Sequence, residues 1–557
     1  MLTAPRSRQK HRLVTVSVFA ILVVAALLRL RGIAFGLPAL YDPDEPIFLL
    51  TALKLLRNRT LNPGWFGHPG TTTIYALALI DLAVLGIGMV TGRFASVQDF
   101  GKAIYADPGV VILPGRWFIV VCGLATILLT FILARSLFGA RAGVLAAGLL
   151  TIDPIHIKYS QIIRTDMHET VFLLLCMLAC VNIARRGRMA DYAWAALWLG
   201  LACATKWPAV TVVVSIIGAA GYHMAHKREM RHLQLVRLIL VGPLALAALV
   251  AASPFLVLDL HTVLVNLSGE ARTHHPGATG QGFWWNAGWY VSHPLRDAVT
   301  ALGVGLAAIG FAVGSRRAAV FAVTIASFAI ISLIAVSAQA LLWERWIVPL
   351  LPFVAIAMAV ALDTVIRRFA TPLGRMGSAV VLGAVVIPSL IAGEAASAER
   401  AHDTRAEAST WARAHIPPGS SVIVEQLAFD LLRTGWRFLY PVGDAGCVDV
   451  AASLRAKIPY STIERWRAGR PVIDFGTIAP ETFPTCRADY AIIVDYDRYL
   501  LEPQTYAAEL RTYRRLIEQG AIVATFRAAH GKTGGPTVRI VRLNPRSSGW
   551  HVVAPAS

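Results

Sequence analysis

Long apolar runs separated by short polar connections dominate the first 393 residues of the chain. The first run extends from Leu13 to about Gly36. It is longer than the apolar part of a signal peptide and has no small-residue cleavage site at its end, so it predicts a retained helix. The pattern predicts an α-helical polytopic membrane protein of about eleven transmembrane helices. The ten later runs are 113–134, 142–157, 169–184, 191–206, 208–225, 236–257, 298–314, 318–338, 346–366 and 376–393.

A further apolar run, from Ile74 to Val90, is interrupted by Asp81. A central Asp costs roughly 2.5–3.5 kcal/mol on insertion scales, which weakens the case for a full crossing. The short Arg- and Lys-rich connections all fall on the cytoplasmic side only if this run is not counted as a crossing. We therefore predict that 74–90 lies along or dips into the membrane surface. The tail 1–12 is then cytoplasmic and the C-terminus is outside.

The composition agrees with a membrane protein and changes the meaning of the charge. Hydrophobic residues make up 56% of the 557 positions, charged residues only 15%, and the mean hydropathy is +0.58. The net charge of +19 comes from short basic clusters between apolar runs, where such clusters set membrane orientation. No basic stripe interleaved with aromatic residues is present, so the sequence argues against nucleic-acid binding.

Polar residues return in segment 394–557, which predicts a small α/β domain on the outer side of the membrane. Cys447 and Cys486 lie in this domain and could form one disulfide if it is extracytoplasmic. The other four cysteines fall in apolar runs, where inert burial is expected. The predicted elements are helices over 399–415 and 503–519 and strands over 421–425, 490–494, 521–527 and 537–543.

The chemistry-bearing carboxylates follow the ends of apolar runs on the predicted outer face. Asp44 and Glu45 open the first outer segment, 37–112, and Asp166 begins the run that also carries His168 and Glu169. Acidic groups at such positions are costly unless they are solvated or paired. Two acidic sites that converge on one cavity would supply a base for an acceptor hydroxyl or amine and a group that orients it. The alternative is that they are solvated helix caps.

Three cations interrupt or border apolar runs on the same face. Lys206 and Arg345 stand at predicted outer helix ends, and Arg164 precedes Asp166. A phosphate beside the bilayer requires such groups, because Arg offers a fork of donors and Lys a point charge. For Arg345, a pair with Glu344 or a contact with lipid head groups is the alternative.

The remaining candidates are residues that contact the substrate and a metal site. His68 precedes Pro69 in a turn, and His274 and His275 lie in the long outer loop 258–297, which is rich in Gly, His and aromatic residues. All three are candidate substrate contacts, with a structural turn and interfacial aromatic anchors as the alternatives. His168 and Glu169, next to Asp166, are candidate substrate contacts as well. A divalent metal held by Asp44 and Asp166 stays open, because two oxygen ligands do not define a site.

The order and spacing of these motifs resemble the C-type membrane glycosyltransferases, in the bacterial branch related to protein O-mannosyltransferases and lipid A aminoarabinose transferases. The resemblance extends over residues 13–366. It rests on Asp44-Glu45, His68-Pro69-Gly70, Arg135 to Gly143, Asp153-Pro154, Arg164-Thr165-Asp166, Thr205-Lys206-Trp207-Pro208 and Arg345-Trp346-Ile347-Val348-Pro349. Two positions depart from the pattern: Gly70 stands where Pro is often found, and Trp346 stands where Tyr is usual.

The resemblance implies an activity and a place in the cell. The donor would be a sugar on a polyprenyl phosphate, transferred with inversion on the outer face of the bacterial inner membrane to an acceptor on a glycan, lipid or protein. Asp44 matches the family's catalytic base and Asp166 its second acidic position, with Glu45 as a supporting carboxylate. Lys206 and Arg345 match positions near the lipid phosphate. No domain signature identifies the acceptor.

Two other functions compete with this interpretation. A lipid-linked-sugar transporter or flippase is the main alternative, but that class usually shows internal repeats and broken, charged helices near the bilayer midplane. Here the polar residues gather at helix ends and no repeat is evident. The second alternative is a non-catalytic scaffold that recruits cell-wall partners. No P-loop or H-E-x-x-H pattern is present, which argues against an ATP-driven pump or a zincin protease.

Overall fold

The computed structural model describes residues 4–67, 69–270, 272–368, 372–425, 429–431, 433–458, 462, 466 and 474–543. The chain divides into two compact units. The first comprises Met1–Ile33, Asp44–Thr273 and Gly280–Glu394, and the second comprises Ala34–Pro43, His274–Thr279 and Ala395–Ser557.

The first unit is helical throughout its described part. Its helices are α1 (Ala4–Leu30), α2 (Glu45–Asn58), α3 (Thr71–Val90), α4 (Val97–Ala106), α5 (Gly109–Phe138), α6 (Ala140–Thr151), α7 (Pro154–Tyr159), α8 (Thr165–Arg186), α9 (Met189–Thr205), α10 (Val213–His226), α11 (Arg231–Ala252), α12 (Phe255–Leu258), α13 (Leu260–Glu270), α14 (Phe283–Tyr290), α15 (Arg296–Arg317), α16 (Ala319–Phe321), α17 (Ser327–Ser337), α18 (Leu351–Arg368) and α19 (Pro372–Ala401).

Ten helical segments in the described part of the chain are long and apolar enough to cross a membrane. This confirms the predicted helical membrane architecture. They are Arg12–Leu30, Thr71–Val90, Gly109–Phe138, Thr165–Arg186, Trp207–His226, Arg228–Ala252, Phe283–Arg317, Ala319–Ser337, Glu344–Arg368 and Ala379–Ala401.

Two of the predicted segments bear on the number of crossings. The run 74–90 forms one continuous helix of 20 residues, α3, with the length and composition of a crossing. Asp81 is 1% exposed in this helix, so it faces the protein interior, where its carboxylate avoids lipid. The predicted span 191–206 is α9, a helix of only 17 residues. The number of crossings and the sidedness of the chain therefore stay predictions.

The predicted span 142–157 is wrong as a single helix. α6 ends at Thr151 after 12 residues, and Asp153 adopts extended backbone angles before Pro154. A residue that precedes proline is pushed out of the helical region, and the Asp153 side chain instead accepts a hydrogen bond from the His156 amide as the N-cap of α7. The break creates the short segment α7, which contributes to the site.

The core of the first unit is built around α18. In the apolar 18-residue window of Glu344–Arg368, 89% of the residues are buried. The corresponding share is 11% in Arg12–Leu30 of α1 and in Arg228–Ala252, which contains α11, so these two helices lie at the periphery. α15 packs closely on α18, because a side chain at Gly310 would meet the Ala357 carbonyl oxygen at 1.8 Å. This close packing holds the turn before α18, which carries Arg345, against the rest of the bundle.

The second unit contains a six-stranded mixed sheet of order β3-β2-β1-β4-β6-β5. β1 is parallel to both β2 and β4, and β6 is antiparallel to β4 and β5. The strands are β1 (Ser421–Val424), β2 (Arg437–Pro441), β3 (Cys447–Val448), β4 (Tyr490–Ile493), β5 (Gly520–Phe526) and β6 (Val538–Leu543). The helices are α20 (Thr404–His415), α21 (Val450–Arg455), α22 (Tyr496–Tyr499) and α23 (Ala507–Glu518).

Side chains on both faces of this sheet are buried. Val422 and Ile492 pack with Ala408 of α20, whereas Ile423 and Ile493 pack with Leu510 of α23. The four strands and the last helix predicted for this domain are confirmed. Strands β2 and β3 were not predicted. The predicted helix 399–415 is confirmed over 404–415 as α20, but its start is wrong because the chain breaks at Asp403, whose side chain caps α20. Cys447 and Cys486 form the disulfide that the sequence left open.

Candidate active site

Asp44, at the start of α2, forms ion pairs with two arginines. Its Oδ2 atom lies 2.5 Å from Nη1 of Arg164 and 2.8 Å from Nη1 of Arg345. The Asp44 side chain is 24% exposed, and those of Arg164 and Arg345 are 11% and 16% exposed. The structure thus joins three predicted site residues, from three distant parts of the sequence, in one partly accessible ion cluster.

Glu45 holds the backbone on both sides of this cluster. Its carboxylate is fully buried, with Oε1 at 2.8 Å from Nε of Arg116 and Oε2 at 2.7 Å from Nη2. Oε1 also accepts a hydrogen bond from the amide of Ile163 at 3.0 Å. Because Glu45 follows Asp44 and Ile163 precedes Arg164, this one side chain fixes the spacing of the Asp44–Arg164 pair.

Arg345 sits on the 3-10 turn Glu344–Leu350, which leads into α18. Its guanidinium also lies over the Trp343 ring, 5.1 Å from the centroid. The neighbouring Glu344 pairs with Lys158 of α7 at 2.8 Å. The alternative that Arg345 pairs with Glu344 is therefore not what the structure shows. Glu344 pairs with Lys158 and Arg345 pairs with Asp44, so each residue connects the turn to another element.

A second, more deeply buried ion group lies at the start of α8. Lys206, which follows α9, places Nζ 2.5 Å from Asp166 Oδ1 and 3.9 Å from Glu169 Oε2. All three side chains are at most 5% exposed. Asp166 is within electrostatic reach of Arg164 and Arg345, so the two ion groups adjoin each other.

The loop before α3 closes over Lys206. Pro69 forms a bridge with Lys206, and the Gly70 amide donates to the Thr205 carbonyl at 3.1 Å. Gly70 has a φ of +70°, a left-handed conformation that glycine adopts without strain. Glycine at the position where the family pattern often has proline thus suits the turn, and proline, with φ near −65°, would not adopt it.

The histidines predicted as substrate contacts have different surroundings. His168 is half-buried, with Nδ1 3.2 Å from the Thr73 hydroxyl and its ring against Phe118 and Phe172. His275 belongs to the second unit, where its ring lies 3.4 Å from an Arg498 nitrogen, and His274 is exposed in the same segment. His68 lies outside the described residues.

Tyr159 belongs to the site although sequence reasoning did not find it. It is 8% exposed, and the Lys158 ammonium lies 5.3 Å from its ring centroid. Burial is the largest cause that raises the pKa of its phenol well above the usual value, and the negative charge of Glu344 raises this pKa further. Asp166 also raises it, whereas Arg164 and Arg345 lower it. Among the described residues its hydroxyl makes no hydrogen bond. Tyr159 is therefore a neutral donor beside both arginines.

Arg116 is the other residue that sequence reasoning missed. It is fully buried in α5, and its Nη1 also donates to the Ile33 carbonyl at 2.6 Å. A signal was available, because an arginine near the start of the apolar run 113–134 is expensive in a membrane and marks a buried partner.

The described residues contain no group of three or more His, Cys, Asp and Glu side chains arranged to hold a metal ion. Asp44 and Asp166, the two carboxylates considered for a metal, face arginines and a lysine respectively. The arrangement favours binding of an anion next to Asp44, because two guanidinium groups converge at one partly exposed point.

Comparisons with known proteins agree with the predicted resemblance. Residues 97–258, less than a third of the chain, match the family model described as dolichyl-phosphate-mannose-protein mannosyltransferase. The segment includes Arg116, Arg164, Asp166 and Lys206. It is similar to a family of C-type membrane glycosyltransferases, which confirms the resemblance over these residues. A search of curated protein sequences found no match.

Two kinds of solved structure resemble the chain. ArnT from Cupriavidus metallidurans bound to undecaprenyl phosphate is 15% identical, with a TM-score of 0.48 over 95% of this chain and 97% of that one. The archaeal oligosaccharyltransferase AglB from Archaeoglobus fulgidus, in complex with an inhibitory peptide and a dolichol-phosphate, is 13% identical, with a TM-score of 0.48 over 88% of this chain and 70% of that one.

Proposed function

We propose that the protein is a membrane glycosyltransferase that moves a sugar, a hexose or a pentose, from a polyprenyl-phosphate donor to a hydroxyl or amine acceptor, with inversion at the anomeric carbon. The observation that carries the proposal is the carboxylate of Asp44 held beside two guanidinium groups, Arg164 and Arg345, in a partly exposed site. The family match over residues 97–258 supports the class of donor.

In this proposal Asp44 is the general base. The acceptor O–H or N–H gives its proton to Asp44 while the acceptor atom forms the new bond to the anomeric carbon. The bond from that carbon to the phosphate oxygen breaks, and its electron pair stays on the phosphate. One displacement of this kind inverts the configuration.

The arginines stabilise the leaving phosphate, which gains a negative charge as the bond breaks. Arg164 and Arg345 offer forked donors from two different elements, and this suits phosphate oxygens. Lys206 was expected to contact the phosphate too. Because it is buried against Asp166 and Glu169, we assign it to position Asp166 next to the two arginines.

We place the reaction on the outer face of the bacterial inner membrane. The short basic connections favour this orientation. The Cys447–Cys486 disulfide of the second unit supports it, because such bonds persist in oxidising compartments. The acceptor would then be a glycan, a lipid or a protein of the cell envelope.

A turnover assay with purified protein tests the proposal. Protein in lipid nanodiscs is given radiolabelled polyprenyl-phosphate hexose or pentose together with envelope fractions as acceptors, and the released polyprenyl phosphate and the new glycoside are measured. Asp44→Asn should lower turnover by about 10²–10⁴-fold, because the acceptor proton loses its base. The matched control is Asp99→Asn, which removes an exposed carboxylate paired with Lys102 on α4.

Folding is checked with the four free cysteines, all of which are buried and react with a thiol-reactive dye on unfolding. Wild-type turnover by a folded Asp44→Asn protein would remove the base assignment. A product with retained anomeric configuration would remove the single-displacement mechanism.

A further inference from the structure

The two arginines that we assign to the donor phosphate are already bound by the catalytic carboxylate. Both guanidinium groups use an Nη1 atom, and both reach the same oxygen, Oδ2 of Asp44. They come from independent elements, since Arg164 immediately precedes α8 and Arg345 lies on the turn before α18. Asp44 therefore lies at the point where an external anion would find both arginines at once.

A phosphate oxygen and a carboxylate oxygen make the same demand on a guanidinium group. Asp44 already takes a hydrogen bond from each Nη1 atom, so a phosphate that approaches the same two atoms has to share these donors with Asp44 or take them over. They also repel each other, because two anions in a largely buried site are weakly screened. The structure thus sets Asp44 and the phosphate in competition.

The charge balance of the proposed reaction gives this competition a direction. The donor is a phosphodiester with one negative charge, and the product polyprenyl phosphate is a monoester with up to two. Over the same step Asp44 takes the acceptor proton and goes from one negative charge to none. The negative charge that faces Arg164 and Arg345 thus moves from the carboxylate to the phosphate.

We propose that Asp44 is an internal anion that competes with phosphate for Arg164 and Arg345: the donor displaces it to expose the base, and Asp44 displaces the product when it loses its proton. This inference rests on the proposed function for the identity of the phosphate. It differs from a simple base assignment because it gives Asp44 a role in binding and release as well as in proton transfer.

The competition makes an unusual prediction for binding. Removal of the carboxylate charge should increase affinity for a phosphate head group, since the arginines no longer have to leave a partner. If the arginines are free of Asp44 in about a tenth of wild-type molecules, Asp44→Asn should lower the Kd about tenfold. A base with no part in binding predicts an unchanged Kd.

Equilibrium binding of radiolabelled undecaprenyl phosphate to purified full-length protein in nanodiscs measures this effect. Asp44→Asn and Asp44→Ser should both bind more tightly, so that the test does not depend on one variant. Asp44→Glu keeps the charge and should not show this gain, and Asp99→Asn, which lies outside the site, should bind like the wild type. A parallel titration with inorganic phosphate shows whether the gain belongs to the phosphate group itself or needs the lipid chain.

The arginines supply the decisive control. In a background that carries both Arg164→Gln and Arg345→Gln the gain from Asp44→Asn should be lost, because the competition runs through these two guanidinium groups. An unchanged or weaker affinity of Asp44→Asn and Asp44→Ser, or a gain that persists in the background without both arginines, would overturn the inference. Absence of sugar transfer by the wild type would instead remove the proposed function and leave the binding result standing.

Discussion

Among single residues, Asp44 and Glu45 at the start of α2 have different partners and different roles. Asp44 is partly exposed and faces Arg164 and Arg345, whereas Glu45 is fully buried and faces Arg116. A buried pair contributes little net stability, but loss of one partner leaves an uncompensated charge. We therefore regard Glu45 as a positioning residue.

Arg116→Met should lower the free energy of unfolding by about 3–5 kcal/mol, because it leaves Glu45 buried and unpaired. The double variant Glu45→Gln with Arg116→Met should lose less than the sum of the two single changes. Unfolding is followed by denaturant titration with thiol labelling of the buried cysteines. The matched control Arg57→Met changes an exposed arginine of α2 and should stay within about 0.5 kcal/mol of the wild type. If Arg116→Met and Arg57→Met lowered the free energy of unfolding by the same amount, the assigned role of the buried Glu45–Arg116 pair would be wrong.

Tyr159→Phe should reduce kcat/KM for the donor by about 10- to 100-fold, as expected for the loss of a hydrogen bond of about 1.5–3 kcal/mol to a charged group. The ring and its packing remain, so only a donor hydrogen bond is removed. Tyr105→Phe is the matched control, since Tyr105 is 85% exposed. Steady-state kinetics with varied donor concentration measures the change. Wild-type kinetics for Tyr159→Phe would show that the hydroxyl does not contact the substrate.

The sequence predicted which side chains stand at helix ends better than it predicted their partners. Asp44, Asp166, Arg164, Lys206 and Arg345 were singled out because charges at the borders of apolar runs are costly there. Their pairing depends on how helices far apart in sequence pack, which periodicity does not encode. For this reason the Asp44–Arg345 and Asp166–Lys206 pairs first emerge in the folded chain.

At the scale of elements, α7 and the turn Glu344–Leu350 act together. The break at Asp153 and Pro154 creates α7, and Lys158 of α7 ties the turn through Glu344. Arg345 is the next residue on that turn. The position of this arginine therefore depends on an ion pair that touches neither Asp44 nor the proposed phosphate.

Lys158→Glu and Glu344→Lys should each raise the donor KM about two- to fivefold, as expected for a half-exposed pair of up to about 1 kcal/mol, with little change in kcat. The double variant, which reverses both charges, should restore the wild-type KM. Kinetics of all four proteins completes a double-mutant cycle. Additive effects in the double variant would show that the pair does not position the turn.

The boundaries of helices and strands were predicted correctly where the apolar periodicity extended over many residues. The prediction was wrong where a helix-capping side chain determined the boundary. The helix breaks at Asp153 and Asp403 both follow from a side chain that caps the next helix. Strand β2 has five residues and β3 only two, so neither gives a periodic signal. The strands that alternate between two buried faces were predicted correctly.

For the whole molecule, the number of membrane crossings determines on which side of the membrane the C-terminus lies. Eleven crossings place the C-terminus outside, whereas inclusion of α3 alone would make the number even and place it inside. α3 has the length of a crossing, and the 12 residues of α6, about 18 Å, are short for a bilayer of about 30 Å.

Cysteine accessibility tests the orientation. In spheroplasts, Lys532→Cys in the exposed C-terminal domain should react with a membrane-impermeant maleimide before lysis. Gln9→Cys, in the exposed N-terminal part of α1, should react only after lysis. The buried native cysteines keep the background low. The reverse labelling pattern would refute the predicted sidedness.

Transfer of a sugar from a polyprenyl phosphate can be measured in sealed proteoliposomes loaded with a doubly labelled polyprenyl-phosphate sugar and supplied with an envelope acceptor. We expect a new glycosidic bond and one polyprenyl phosphate released for each sugar transferred, with both lost in Asp44→Asn. Movement of the intact lipid-linked sugar from one leaflet to the other, with no new glycosidic bond, would refute the proposed glycosyltransferase and identify a transporter.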